Sequence, residues 1–220
     1  MEINKYIDHT LLKPTATEKD IITLCKEAIE YKFYSVCVNS GYVRLAKELT
    51  KNSSVKVCSV IGFPLGASST KAKVFEAVQA VEDGAQEIDM VMNIGLLKSS
   101  NYLAVLKDIT DVKVAIGKIP LKVILEISEL SKNEIIKASE ICLDAKADFV
   151  KTSTGFSKSG ATLTAVRIIK KTVKDQAKIK ASGGIKDYET ALKYIETGAD
   201  RLGTSSGVAI MNKQLSTSNY

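Results

Sequence analysis

Three charged residues in this chain stand where charge is costly. They are Asp89 in Ile88-Asp89-Met90-Val91, Lys151 in Phe149-Val150-Lys151-Thr152, and Lys180 in Ile179-Lys180-Ala181-Ser182. Each falls toward the end of a short apolar, β-branched run that reads as a buried strand, where a charged side chain needs a partner or a chemical role. Lysines at strand ends also reach out to water, and that plain solvated role is the alternative reading. If Lys151 and Lys180 sit on neighbouring parallel strands, about 4.8 Å apart, their ammonium groups crowd one another. At about 5 Å and an effective dielectric near 20 the repulsion is on the order of 3 kcal/mol, or roughly 2 pKa units. Burial pushes the same way. One of the two amines would then be free to attack a carbonyl near neutral pH, which an ordinary protonated surface lysine cannot do. Asp89 would supply a carboxylate to relay protons to and from substrate.

A second set of residues points to an anion. Ser182-Gly183-Gly184 follows one strand-like run and Gly203-Thr204-Ser205-Ser206-Gly207 the next, with Thr154-Gly155 a weaker third. Glycines let backbone N–H groups approach a phosphate, and serines add short donors. Tight turns alone would use the same residues. Together the segments favour a phosphate-bearing substrate, with Gly155, Gly183, Gly184, Ser205 and Ser206 as its contacts. Other chemistries lack parts. His9 is the only histidine, which removes histidine-based zinc sites and Ser-His-Asp or Cys-His catalysis; a structural role suits it better. Gly66-Ala67-Ser68-Ser69-Thr70-Lys71 lacks the second glycine of a nucleotide-binding P-loop. Glu126 and Asp8 end their own strands and read equally well as structural acids or as members of the site.

The elements that would position these residues alternate along the chain. Runs of strand character begin near Lys5, Ser35, Val55, Glu87, Leu121, Asp148, Lys178 and Arg201, with helical periodicity between them. Ile21, Leu24, Cys25, Ala28 and Ile29 share one helix face behind a Thr17/Asp20 cap. Val74, Ala77, Val78 and Val81 form another stripe. Ile135, Ala138, Ile141 and Cys142 form a third, behind Ser131-Lys132-Asn133-Glu134 with its capping-box spacing. Val166, Ile169 and Val173, then Ala191, Leu192 and Ile195, supply two more. Eight strand–helix units in 220 residues suit a single closed (β/α)8 TIM barrel, an α/β fold whose active sites open at the C-terminal ends of the strands. An open doubly wound sheet is the alternative, but its GxGxxG fingerprint is missing. The expected organisation is a barrel over 1–212 and a flexible tail over 213–220. Within that tail, Tyr220 is either part of a frayed end or a group that folds over the barrel mouth.

Composition narrows the class. With 45% hydrophobic and 25% charged residues the chain reads as globular. No apolar run reaches the roughly 20 residues of a membrane span, and the polar start does not read as a signal peptide. The excess of 31 Lys and Arg over 25 Asp and Glu is scattered, without Trp, which argues against nucleic acid as a partner. Cys25, Cys37, Cys58 and Cys142 lie in apolar stretches without CxxC spacing. They read as reduced core thiols of a cytoplasmic protein, not as a disulfide frame or metal site.

With these residues assembled, the sequence resembles the deoxyribose-phosphate aldolases of the short bacterial type. The likeness runs from about Tyr6 to Met211. It is carried by Ile7-Asp8-His9-Thr10-Leu11-Leu12-Lys13-Pro14, Ile61-Gly62-Phe63-Pro64-Leu65-Gly66, Glu87-Ile88-Asp89-Met90-Val91, Phe149-Val150-Lys151-Thr152-Ser153-Thr154-Gly155-Phe156 and Lys180-Ala181-Ser182-Gly183-Gly184-Ile185. The resemblance implies a class I aldolase that needs no cofactor and no metal and reversibly cleaves 2-deoxy-D-ribose 5-phosphate to D-glyceraldehyde 3-phosphate and acetaldehyde. It implies Lys151 as the Schiff-base residue, Lys180 as the group that perturbs it, and Asp89 in the proton relay, in a homo-oligomer. Departures lie in Leu125-Glu126-Ile127-Ser128-Glu129-Leu130 and at Phe156, where some members carry a basic residue. The phosphate would then rest on backbone groups, serines and Lys186. Another phosphate-binding barrel enzyme, or a non-catalytic sugar-phosphate binder, remain the competing functions.

Overall fold

The computed structural model describes residues 2–213. Eight parallel strands close on themselves in chain order: β1 (Ile7–Leu11), β2 (Ser35–Asn39), β3 (Lys56–Ile61), β4 (Glu87–Val91), β5 (Leu121–Ile124), β6 (Phe149–Lys151), β7 (Lys178–Ser182) and β8 (Arg201–Thr204), with β8 pairing back onto β1. Helices α1 (Glu18–Glu30), α2 (Val43–Thr50), α3 (Thr70–Glu82), α4 (Ile94–Lys98), α5 (Tyr102–Ile116), α6 (Lys132–Asp144), α7 (Leu163–Val173), α8 (Tyr188–Thr197) and α9 (Gly207–Met211) fill the connections. This is the (β/α)8 barrel expected from the strand–helix alternation.

Local chemistry explains the boundaries. Thr17 and Asp20 form a reciprocal capping box at the start of α1, and Ser131 and Glu134 do the same for α6. The strand expected from Lys5 begins at Ile7, because Ile3–Tyr6 wind into a 3-10 turn. The strand expected from Asp148 begins at Phe149. Asp148 instead accepts the Leu121 N–H and pairs with Lys113.

The core is divided by the strands. Outward-facing Ile7, Val36, Val57, Ile88, Val123, Val150, Ile179 and Leu202 pack under the helices in one large apolar cluster. One expected stripe is corrected: α3 turns Lys73, Ala77 and Ala80 fully inward, while Val74 and Val81 are half-buried against the core. The reason is polar. Lys73 Nζ donates to Asp108 Oδ2 at 2.7 Å and to the Val91 carbonyl at 3.0 Å, a buried pair that rotates the helix face. Tyr220 and the rest of the expected tail beyond Lys213 lie outside the described residues.

Candidate active site

Strand parity decides what enters the barrel. Alternate residues point inward, which brings Asp8, Cys37, Cys58, Glu87, Asp89, Lys122, Lys151, Lys180 and Arg201 into the barrel interior, where all are buried. The register is direct: Cys37 faces Cys58, Asp89 faces Lys122, and Lys151 faces Lys180. The two lysines are therefore neighbours, as their placement on adjacent strands requires.

Their relation differs from the expected bare repulsion. Asp89 stands between them: Lys151 Nζ and Lys180 Nζ each donate to Asp89 Oδ2 at 2.8 Å. A third ammonium, Lys122, donates to Asp89 Oδ1 at 2.8 Å and pairs with Glu87 at 2.7 Å. Lys180 also pairs with Asp8 Oδ2 at 2.5 Å. Arg201 completes the cluster, donating through Nε to Asp8 Oδ1 at 2.8 Å and through its terminal nitrogens to Glu87 at 3.1 and 3.2 Å. Its guanidinium lies over the Tyr34 ring, 3.4 Å from the centroid. Every member is buried.

Burial alone would raise the Asp89 carboxyl, but Lys122, Lys151 and Lys180 outweigh it and hold it well below the usual carboxylate range. For Lys180, burial acts to lower the ammonium and Asp8 and Asp89 overcome it, so the group is raised and stays charged. Lys122 is raised in the same way, chiefly by Asp89. The linked cluster thus holds four cations, Lys122, Lys151, Lys180 and Arg201, against three carboxylates, Asp8, Glu87 and Asp89. One positive charge has no carboxylate of its own.

Of the two amines on Asp89 Oδ2, Lys151 lines the cavity at the C-terminal ends of the strands. That cavity, about 240 Å³, is also lined by Gly155, Gly183, Gly184, Ser205 and Ser206, and by Lys186. Every residue expected to hold phosphate therefore borders the same space as Lys151, while Asp89 and Lys180 lie deeper. Loop contacts set its shape. Ala161 N donates to the carbonyls of Ser182 and Gly183, both at 3.0 Å. At Gly160 a Cβ would fall 2.1 Å from the Gly183 carbonyl oxygen, so only glycine lets the two loops meet. Gly203 keeps a second space clear, since a Cβ there would sit 2.9 Å from Lys180 Cε, where the lysine stem runs.

Other residues fall into place around this centre. Asp8, read evenly as structural or functional, belongs to the cluster. His9 faces outward from β1, with Nε2 2.7 Å from Glu27 Oε2, which suits the structural reading. Glu126 bonds the Thr154 N–H at 3.2 Å and the Thr154 hydroxyl, not the lysines. Burial raises its carboxyl above the ordinary range, against those two bonds. Lys122, Glu87 and Arg201 were not singled out from sequence. Each lies at or near the start of its strand, where a charged residue reads as solvated, and only the register places it in the cluster around Asp89. The donors nearest a metal arrangement are Cys37, Cys58 and Asp89, within 4.8 Å of one another. Lys122, Lys151 and Lys180 face the same carboxylate, a field that opposes a cation.

Comparison with known proteins shows the family. Residues 3–213 match the model of the DeoC/LacD family aldolases, and the chain belongs to that family. The protein named deoxyribose-phosphate aldolase from Mycoplasma capricolum is 53% identical over 220 residues, covering 100% of this chain and 99% of that protein. A solved structure described as QR15, an aldolase, superimposes with a TM-score of 0.93 at 48% identity, covering 96% of this chain and 95% of its own. The deoxyribose phosphate aldolase of Aeropyrum pernix, described as having a unique tetrameric structure, superimposes with a TM-score of 0.87 at 34% identity, covering 96% and 89%.

Proposed function

We propose that this aldolase reversibly cleaves 2-deoxy-D-ribose 5-phosphate to D-glyceraldehyde 3-phosphate and acetaldehyde through an imine on Lys151. The observation that carries the reading is the shared wall. The one lysine of the cluster that borders the cavity does so beside Gly155, Gly183, Gly184, Ser205 and Ser206.

The chemistry follows from the charge balance. The cluster holds one cation more than it holds carboxylates, and Lys151 is the member that borders the cavity and acts as the amine. Its lone pair attacks the open-chain C1 aldehyde, and loss of water gives a protonated imine. That imine carries the positive charge the ammonium carried, beside Asp89 Oδ2, so the cluster holds the electron sink in place. Deprotonation of the C3 hydroxyl sends the C2–C3 electron pair toward the imine. D-Glyceraldehyde 3-phosphate leaves, the two-carbon enamine is protonated, and water releases acetaldehyde.

Lys180, held as an ammonium on the same Asp89 oxygen, keeps Lys151 from pairing alone with Asp89 and serves as a buried proton donor beside it. Asp89 serves first as the shared acceptor that fixes both amines; a carboxylate held this far below its usual range is a weak base, so its relay role runs through the protons of its lysines. The loops after β6, β7 and β8 take the phosphate on backbone N–H groups, the two serines and Lys186. The resident groups suffice for the reaction without metal or cofactor.

We place the reaction in the breakdown of deoxyribonucleosides, in the cytoplasm, where the four free thiols would persist; among the described residues no helix is long and apolar enough to cross a membrane. A homo-oligomer fits the exposed apolar side chains Leu65, Phe75 and Leu103. Sedimentation should return more than one chain.

Turnover is the test. Purified protein should convert 2-deoxyribose 5-phosphate to acetaldehyde, and Lys151→Arg should abolish this while retaining substrate binding. An inactive wild-type chain that still binds the sugar phosphate would mark a binding protein.

A further inference from the structure

Two sulfurs lie in the charged interior with no part in the aldol cleavage. Cys37 and Cys58 stand directly opposite each other in the β2–β3 register, both turned into the barrel and fully buried. Cys58 Sγ donates to Asp89 Oδ1 at 3.1 Å, and Cys37 Sγ lies 4.0 Å from Asp89 Oδ2. The two sulfurs and the carboxylate oxygen lie within 4.8 Å of one another. Neighbouring strands run about 4.8 Å apart, inside the roughly 4.4–6.8 Å between Cα atoms that a disulfide spans.

The pair also differs chemically from the other thiols. The neighbouring Cys58 thiol, helped by the ammonium groups of Lys180 and Lys151, pulls the Cys37 thiol down to about 7 against its burial. Cys58 is raised by burial and by Cys37 and Asp89 beside it, so it keeps its proton. Burial pushes Cys25 up to about 11 and raises Cys142 as well. One thiolate-prone sulfur beside one protonated sulfur is the arrangement of an attacking and a resolving thiol. Asp89, which faces both sulfurs, also holds Lys151, whose side chain lines the open cavity.

We propose that Cys37 and Cys58 form an oxidation site that a hydroperoxide closes to a disulfide beneath Asp89, slowing turnover until a thiol reductant reopens it. The Cys37 thiolate attacks the terminal peroxide oxygen. The O–O bond breaks, the alcohol (or water, from hydrogen peroxide) leaves with a proton, and Cys37 becomes a sulfenic acid. The Cys58 sulfur then attacks the Cys37 sulfur. The S–O bond breaks, and the hydroxyl departs as water with the Cys58 proton. Two thiols are oxidised by two electrons and one peroxide is reduced. Asp89 thereby loses the Cys58 donor, and the sulfurs are drawn toward each other and away from the carboxylate that fixes Lys151 and Lys180. The effect on turnover rests on the aldolase reading; the cross-link does not.

The experiment incubates the full chain with hydrogen peroxide, measures the intact mass, maps linked peptides, and assays turnover before and after dithiothreitol. The expected result is loss of two hydrogens, a Cys37–Cys58 link with Cys25 and Cys142 still reduced, and turnover lowered about tenfold or more and restored by reductant. Cys58→Ser should give no link and should pass Cys37 on to a sulfinic acid that dithiothreitol does not reverse. Cys37→Ser, the second variant, should likewise give no link. Wild-type protein whose thiols stay reduced, or whose Cys37 reaches sulfinic acid unlinked, overturns the site. Linked protein with full turnover overturns its effect on catalysis. Reduced protein with no turnover at all tells instead against the aldolase reading, and the mass measurement still decides the cross-link.

Discussion

Replacing Lys122 with methionine removes one ammonium from the barrel interior while keeping most of its volume. Lys122 binds Asp89 Oδ1 at 2.8 Å, and Lys151 binds the other oxygen of the same carboxylate at 2.8 Å. The two nitrogens are thus roughly 6 Å apart, and at an effective dielectric near 20 their repulsion is on the order of 3 kcal/mol. Both are buried, so salt screens little of it. Without Lys122 the cluster holds three cations, Lys151, Lys180 and Arg201, against its three carboxylates, and no proton is in excess. Imine formation should then require a higher pH. The acid limb of the pH profile for borohydride trapping of acetaldehyde should move upward by about 2 units, with the alkaline plateau kept. Stability should fall by about 3 kcal/mol or less in urea, at the low end for a broken buried pair, because Glu87 keeps Arg201 and Asp89 keeps two lysines. A limb that stays in place, or moves toward acid, in a folded variant would refute the charge-balance argument.

Gly160→Ala should force the loops after β6 and β7 apart, since its Cβ would meet the Gly183 carbonyl oxygen at 2.1 Å. KM for the sugar phosphate should rise about tenfold or more, the worth of one hydrogen bond to a charged group, while trapping of unphosphorylated acetaldehyde is unchanged. Lys73→Met should cost about 3–5 kcal/mol by leaving the Asp108 charge buried with only the Thr70 hydroxyl as partner. Adding Asp108→Leu should recover most of that loss in urea unfolding. Glu126→Gln tests a sign. Because the folded carboxyl is raised, the native chain loses stability as pH climbs from the ordinary glutamate range through the folded value, and the loss persists above it. The glutamine variant lacks that loss, so its stability relative to the native chain should improve as pH climbs above the ordinary glutamate range; a difference flat in pH would contradict the assignment.

Much of the fold and part of the site are legible in the sequence. Strand and helix alternate with the right periods, so the barrel can be counted. Lys151 and Asp89 stand out because charge interrupts an apolar run, and the glycine and serine segments because they follow the right strands. Register is what the sequence hides. Asp89 faces Lys122 across β4–β5 and Asp8 meets Arg201 across β1–β8, contacts between residues far apart in sequence. The expected two-lysine repulsion is therefore a cluster with shared carboxylates. The same limit hides Lys73 on α3, whose partner Asp108 lies on α5, and so Val74 and Val81 of the expected stripe are only half-buried against the core. Cys37 and Cys58 read correctly as buried thiols, but apolar neighbours along the chain give no hint that both face a carboxylate.

Site-resolved trapping is the most direct test of the central claim that Lys151 is the nucleophile of a cluster with one excess positive charge. Acetaldehyde followed by borohydride at neutral pH should add a single ethyl group, mapped by peptide mass to Lys151, and Lys151→Arg should take up none. Ethyl groups on Lys180 or Lys122 in the native chain, or spread over surface lysines with Lys151 unmodified, would contradict the account.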